Sequence, residues 1–124
     1  MKIRIYDDSI RLRLDRAEVG RIGGGDSVDC VTRFPGGDAF HYRLAAADVK
    51  ESSASFTNGC MAVTLPRAIA RHWAEDDSEV SIRAEQRLDQ GALTLLIEKD
   101  FECLDPREGE DQSNRFKNPK ALGA

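Results

Sequence analysis

Strict alternation of apolar and charged side chains in the first fourteen residues limits what this chain can fold into. On both sides of a polar turn at Asp7-Asp8, isoleucine or leucine fills every second position, and the positions between are mostly lysine or arginine. A period of two places the two sets on opposite faces of an extended strand. The segment therefore predicts a β-hairpin with one buried apolar face and one cationic face.

A short helix and a second hairpin are predicted to follow. Asp15 suits the N-cap of a helix, Glu18 lies three residues later as its capping-box partner, and the glycines at 23–25 end the helix. Strands are then expected at 28–34 and 40–44, on either side of a turn at 35–38.

The second half of the chain has the same order of predicted elements. After a connector at 45–53, Asn58-Gly59 is the strongest kind of short signal for a hairpin turn. Pro66 suits the first turn of a second helix. The strands of this half are expected at 55–57, 61–65, 79–88 and 93–97.

The two halves match when they are offset by 51 residues, which places Asn58-Gly59 on Asp7-Asp8 and Leu65 on Leu14. We interpret the match as duplication of one β-β-α-β-β unit, while two unrelated pairs of hairpins would also look alike. The predicted fold is α+β and mostly β, a small pseudo-two-fold barrel with two short helices. A monomer of this kind would stand in for a homodimer. We expect one domain at 1–104, with repeats at 1–48 and 51–104, and a polar, weakly anchored tail at 105–124.

Composition excludes several classes of protein. The chain of 124 residues has a net charge of −4 and three cysteines without a C-x-x-C pair, which indicates neither a disulfide framework nor a zinc knuckle. The sequence contains no signal-peptide core and no apolar run of membrane length, so we expect a cytoplasmic protein with no membrane partner. The negative net charge disfavours nucleic acid as a partner.

The charged face of the first hairpin is the sharpest functional clue. Its turn places Arg4 opposite Arg11 and Lys2 opposite Arg13. Like charges directly opposite each other on a ladder destabilise a sheet. We therefore predict that Lys2, Arg4, Arg11 and Arg13 bind an anion or a partner. The alternative is internal neutralisation by acidic residues, namely Glu79, Glu85, Glu98 or the tail residues Glu108, Glu110 and Asp111.

The tail contains few residues that could hold it in place. From 105 to 124 it is polar, rich in charge and interrupted by two prolines. Phe116 is the predicted anchor, either on the domain or on a partner, and a frayed tail is the alternative.

Residues able to catalyse a reaction or to bind a metal are sparse. Cys30, His41 and Cys103 are the only reactive candidates, and His72 has no second histidine at ligand spacing. We therefore predict no catalytic residue, no metal site and no cofactor. An enzyme with its site in the groove between the repeats is kept as an alternative that depends on those three candidates.

Residues 59–85 and 92–99, GCMAVTLPRAIARHWAEDDSEVSIRAE and ALTLLIEK, resemble the half-barrel of the swapped-hairpin family typified by the AbrB transition-state regulators and the MazE antitoxins. Thr64-Leu65-Pro66 stands at the Ile-Pro position of that unit and Asp76-Asp77 at its acidic turn. The resemblance implies a barrel that binds DNA through basic residues on its strands and loops. For an antitoxin it also implies a C-terminal segment that wraps a toxin.

The whole chain is also similar to an uncharacterised family of short bacterial proteins. Its members open M-K-I-R-I…S-I-R-L-R-L and close E-K-D-F-x-C-L…F-x-N-P, which match 1–5, 9–14, 98–104 and 116–119 here. No function is established for that family. The sequence therefore favours a non-enzymatic binding or regulatory module whose partner is an unknown protein or an anionic ligand. A DNA-binding regulator or antitoxin and an enzyme are the alternatives.

Overall fold

The computed structural model describes residues 1–101 and residue 116, and the same order of elements occurs twice along it. The predicted boundary at residue 104 and the predicted tail at 105–124 lie outside the described residues, apart from Phe116. A 3-10 turn at Pro35–Gly37 separates β3 from β4. The elements are β1 (Lys2–Ile5), β2 (Ser9–Leu14), α1 (Arg16–Gly23), β3 (Val28–Arg33), β4 (Ala39–Ala47), β5 (Ser53–Thr57), β6 (Cys60–Pro66), α2 (Arg67–Glu75), β7 (Ser81–Arg87) and β8 (Ala92–Lys99).

Local chemistry determines where α1 begins and ends and where the chain turns. The Glu18 amide donates a hydrogen bond of 2.9 Å to Asp15 Oδ1, and the Asp15 amide donates one of 3.0 Å to Glu18 Oε1. This reciprocal pair is the predicted capping box, and Gly24 caps the other end of the helix. Asn58 and Gly59 have φ angles of 51° and 73°, the left-handed values that a tight hairpin turn requires.

The eight strands form two four-stranded sheets, ordered β1-β2-β8-β7 and β3-β4-β6-β5. Each sheet contains one antiparallel hairpin from the first half of the chain and one from the second. The two hairpins meet through a parallel pair at the centre of the sheet, β2 with β8 and β4 with β6. The prediction of a mostly β, α+β chain with two short helices is confirmed.

The prediction of a closed barrel was wrong, because the two sheets remain separate in the described part of the chain. A barrel requires backbone ladders between the edge strands of the two sheets. Here side chains make the contacts between the sheets instead. The Ala54 amide donates a 2.7 Å hydrogen bond to Gln86 Oε1, and the Tyr42 hydroxyl donates a 2.9 Å hydrogen bond to the Met1 carbonyl.

The prediction of a connector at 45–53 was also wrong at its start. β4 continues to Ala47, and residues 45–47 pair in parallel with residues 64–66 of β6. Alanine has a low intrinsic preference for strands, but the adjacent strand supplies ladder partners that outweigh it. The central pair of this sheet is therefore longer than the sequence pattern indicates.

One apolar core receives side chains from both sheets and both helices. Trp73 of α2 is almost fully buried, and its indole Nε1 donates a 3.1 Å hydrogen bond to the Val80 carbonyl. α1 and α2 pack against each other at Gly23 and Ala74. No helix in the described residues is long and apolar enough to cross a membrane.

Two glycines of α1 provide a matched pair of variants that tests this packing. A Cβ at Gly23 would lie 2.6 Å from the Ala74 Cβ, whereas a Cβ at Gly20 would meet nothing within 4 Å. Gly23→Ala should lower the free energy of unfolding by about 1–3 kcal/mol, because the helices must move apart. Gly20→Ala should raise it by about 0.5–1 kcal/mol, because alanine favours the helix. Urea denaturation measures both, and effects of the same sign would contradict the close approach of the two helices.

Candidate anion-binding site

The four predicted cations lie on one surface of the sheet β1-β2-β8-β7. The backbone register pairs Lys2 with Arg13 and Arg4 with Arg11, as the sequence predicts. The residues between them face the other way, and Leu12 there is fully buried. The hairpin therefore turns its apolar side chains into the core and its cations away from it.

Two carboxylates neutralise part of this surface. Glu98 of β8 accepts a hydrogen bond from Arg11 Nε, and its Oε1 lies 3.6 Å from Arg13 Nε. The hydrogen bond to Glu98 raises the pKa of Arg11. Lys2 Nζ lies 3.1 Å from Oδ2 of Asp100. Internal neutralisation therefore reaches three of the four cations, through Glu98, which the sequence analysis named, and Asp100, which it did not.

Arg4 differs from the other three cations, and the residues that lie across the sheet from it include a further cation, Arg83. None of the described residues forms an ion pair with Arg4. Arg11 pairs across the sheet with Leu96, and Leu96 pairs with Arg83 of β7. Arg4, Arg11 and Arg83 therefore lie in one row across four strands. We call Lys2, Arg4, Arg11, Arg13 and Arg83 the cationic face.

Sequence reasoning missed Arg83. Its outward orientation could be predicted from the sequence, but its place in the same sheet as β1 could not. Ile82 beside it is buried, so alternation along β7 predicts that Arg83 faces outward. Nothing local shows that β7 belongs to the same sheet as β1, because the two strands lie at opposite ends of the strand order. Only the parallel pairing of β2 with β8 brings Arg83 into the row.

An open depression of about 470 Å³ lies over this row. Arg4, Arg11 and Arg83 line it, together with Tyr6, Ser9, Ile10, Thr94 and Leu96. Guanidinium and hydroxyl groups can all donate hydrogen bonds to an anion. Among the described residues, no histidine, cysteine or carboxylate lines the depression. The described lining therefore offers hydrogen-bond donors suited to an anion.

A buried lysine lies at the end of β8, where alternation predicts an inward side chain. Lys99 is 3% exposed, and its Nζ donates a 2.9 Å hydrogen bond to the Asp76 carbonyl. The ammonium lies 5.8 Å from the centre of the Trp73 ring and 5.5 Å from that of Phe116. Burial lowers the pKa of Lys99, because a buried cation loses its hydration.

Phe116, the predicted tail anchor, contacts the domain at this place. Its amide donates a 2.9 Å hydrogen bond to the Asp100 carbonyl. Its ring meets Phe101 edge-on at 5.9 Å, and the Arg16 guanidinium lies 5.7 Å from the ring centre. Phe116 therefore covers the buried end of Lys99.

Cys30 and His41, two of the three reactive candidates, do not converge. The strand partner of Cys30 is Tyr42, the residue after His41, so the side chains of Cys30 and His41 point to opposite faces of the sheet. His41 instead pairs with Cys60 of β6. Cys103 lies outside the described residues. The described part of the chain therefore does not assemble the group on which the enzyme alternative depends.

Fold and site together define a class of protein, a small α+β domain of two four-stranded sheets with a cationic outer face. Residues 1–120 match the model of a family of unknown function, DUF7009, and the chain belongs to that family. The predicted membership of an uncharacterised family is confirmed. No curated protein and no solved structure matches the chain. The resemblance to AbrB and MazE therefore stays a prediction from the residues.

Two substitutions separate paired from unpaired cations on the cationic face. Arg4→Gln should leave the free energy of unfolding unchanged or raise it by some tenths of a kcal/mol, because it removes like-charge repulsion. Arg11→Gln should lower it by about 0.5–1 kcal/mol, because Glu98 loses its hydrogen bond. Urea denaturation at low ionic strength measures both. A larger loss for Arg4→Gln than for Arg11→Gln would mean that Arg4 has an internal partner.

Proposed function

We propose that this protein is a non-enzymatic binding module whose cationic face takes an anionic group of a partner. The single observation that carries the proposal is the row of Arg4, Arg11 and Arg83 around one open depression. Of these three guanidinium groups, only Arg11 has a carboxylate partner among the described residues, Glu98. A phosphate or carboxylate group in the depression would supply the missing counter-charge.

A comparison of the two halves supports a functional origin for these charges. In the second half, β5 and β6 form the hairpin that corresponds to β1 and β2. Ser55 pairs there with Ala62 and Ser53 with Thr64, where the first hairpin has its two pairs of cations. The architecture is therefore satisfied by small uncharged residues at these positions. The unfavourable cation pairs of the first hairpin are not required for folding.

The chemistry of arginine indicates the class of ligand. A guanidinium group presents a planar fork of donors that matches two oxygens of a phosphate or a carboxylate, which a lysine cannot do. Hydroxyl groups of Ser9 and Thr94 in the same depression add further donors. We therefore propose a partner that presents terminal phosphate or carboxylate oxygens, with the other oxygens of its chain left in solvent.

Nucleic acid is a second source of the same oxygens, and the resemblance to AbrB would favour it. The net charge of −4 works against long-range attraction to a polyanion. Binding confined to one depression also differs from the multiple phosphate contacts of a duplex-binding protein. Duplex DNA is therefore the alternative partner, and calorimetry with a duplex distinguishes it from the proposed one.

We also infer that the two halves are copies of one unit. In support, Ser9 of β2 pairs with Thr94 of β8, and Cys60 of β6 pairs with His41 of β4. Residue 60 follows residue 9 by 51 positions, and residue 94 follows residue 41 by 53. In each central pair, a strand of one half therefore pairs with the counterpart of its partner in the other half. A pseudo-two-fold arrangement has this pattern. The two extra residues fall within α2 and the connection from α2 to β7.

Isothermal titration calorimetry with inorganic tripolyphosphate, an Asp/Glu-rich decapeptide and a mixed-sequence DNA duplex tests the proposed function. We expect the wild type to bind tripolyphosphate or the peptide with a single site. The double variant Arg4→Gln/Arg83→Gln should lose at least about tenfold in affinity, because two charge-assisted contacts are removed. Arg33→Gln/Arg71→Gln, which removes two arginines outside the depression, should bind like the wild type.

The control decides between specific binding and general charge attraction. Equal losses in the two double variants, or no binding by the wild type at low salt, would overturn the proposal. Tight binding of the duplex alone, with an affinity that falls steeply as salt rises, would instead favour a DNA-binding regulator.

A further inference from the structure

A histidine and two carboxylates meet where α2 ends and the chain turns toward β7. His72 Nε2 lies 3.4 Å from Glu79 Oε1 and 3.8 Å from Asp76 Oδ2. One ligand atom from each of the three residues lies within 4.8 Å of the other two. All three side chains remain accessible to solvent, with His72 66% exposed. An ion from solution could therefore reach the cluster.

One of the two distances from His72 matches the separation of atoms that share a metal ion. Both exceed the 2.7–3.2 Å range of an N–H···O hydrogen bond, so without a metal a protonated imidazole would form ion pairs with the two carboxylates. Ligands at about 2.0–2.1 Å from a tetrahedral zinc ion lie roughly 3.4 Å from one another. The His72–Glu79 distance meets this value, and the His72–Asp76 distance exceeds it by about 0.4 Å.

A neighbouring serine orients the Asp76 carboxylate, and backbone hydrogen bonds fix the path of the turn that presents Glu79. Asp76 Oδ1 accepts hydrogen bonds from the Ser78 amide at 2.9 Å and from the Ser78 hydroxyl at 2.7 Å, which leaves Oδ2 directed at His72. The Asp76 amide donates to the His72 carbonyl, and the Glu79 amide donates to the Asp76 carbonyl, each at 3.0 Å. Outer hydrogen bonds of this kind orient the ligands of natural metal sites.

The fold does not require these side chains. In the first half of the chain, the connection from α1 to β3 is the glycine-rich segment 24–27, and Arg21 stands where His72 stands in the second half. That connection makes the same turn without a histidine and two carboxylates. The second connection is longer, and Asp76 and Glu79 lie within it.

We propose that His72, Asp76 and Glu79 bind a divalent transition-metal ion, with zinc the best match. One imidazole and two carboxylates form a mixed nitrogen and oxygen set, which suits zinc better than the all-oxygen preference of magnesium. Three protein ligands leave a position for water or for a group from a partner. The ammonium of Lys99, bonded to the Asp76 carbonyl, repels the ion and weakens its binding.

This site was missed by sequence reasoning because His72 lacks a second histidine at ligand spacing. His72 lies in the last turn of α2 and both oxygen ligands lie in the connection after it, in the order H-x3-D-x2-E. Acidic residues after a helix are common, so that pattern has little specificity by itself. The inference rests on the distances among the side-chain atoms and does not depend on the proposed anion binding.

Calorimetry and thermal denaturation of the full chain with zinc chloride and a phosphine reductant test the proposal. The wild type should bind one zinc ion, and saturating zinc should raise its melting temperature by at least about 3 °C. His72→Gln and Glu79→Gln should each lose at least about tenfold in affinity while keeping the metal-free melting temperature of the wild type. His41→Gln is the matched control, because it removes the other histidine of the chain.

The control also tests the other histidine, whose strand partner in β6 is Cys60. Loss of zinc binding in His41→Gln but not in His72→Gln would overturn the proposal. Absence of binding by the wild type, or magnesium binding as tightly as zinc, would overturn it as well. Cobalt in place of zinc gives an independent reading, because its visible absorption should change in His72→Gln and stay unchanged in His41→Gln.

Discussion

The two parallel strand pairs, β2 with β8 and β4 with β6, are the constraint on which the rest of the structure depends. Each pair joins a strand of the first half to a strand of the second, so neither half completes a sheet alone. A lone hairpin is marginal in water, and its apolar face must be covered by something. The central pairs join the hairpins into wider sheets, since Leu12 lies opposite Ile97 and Leu44 opposite Val63, and all four side chains are buried in the common core. They also bring Arg83 onto the same surface as the first hairpin.

Features set by neighbouring residues could be predicted from the sequence, and features set by strand order could not. The capping box at Asp15 and the turn at Asn58-Gly59 depend on residues within four positions of one another, and both are present. The extension of β4 through 45–47 depends on a parallel strand that follows in the chain, and local preference pointed the other way. The prediction of a closed barrel was wrong for a related reason, because closure depends on whether edge strands that are distant in the sequence pair with each other. The cationic face lies between these cases, with its cross-strand pairs predictable and Arg83 not.

Lys99 shows what alternation can and cannot predict. The inward positions of β8 read Leu95, Ile97 and then Lys99, so the strand pattern places an ammonium in the core. A buried cation is costly unless polar and aromatic groups surround it. The Asp76 carbonyl and the rings of Trp73 and Phe116 provide those contacts here. This lysine therefore links the end of β8, the turn after α2 and the described residue of the tail, three segments that no local pattern connects.

Positions where the two halves differ in chemistry are the best guide to function in a chain of this kind. Equivalent positions experience the same backbone geometry, so a residue needed only for folding should have a counterpart of similar character in the other half. The core follows that expectation, with Leu14 and Leu65 both fully buried. Arg4 and Arg11 correspond to Ser55 and Ala62, and in the connection after the helix Asp76 corresponds to Gly25. Because folding demands neither set, each is free to have been shaped by a ligand, one anionic and one cationic, on separate parts of the molecule.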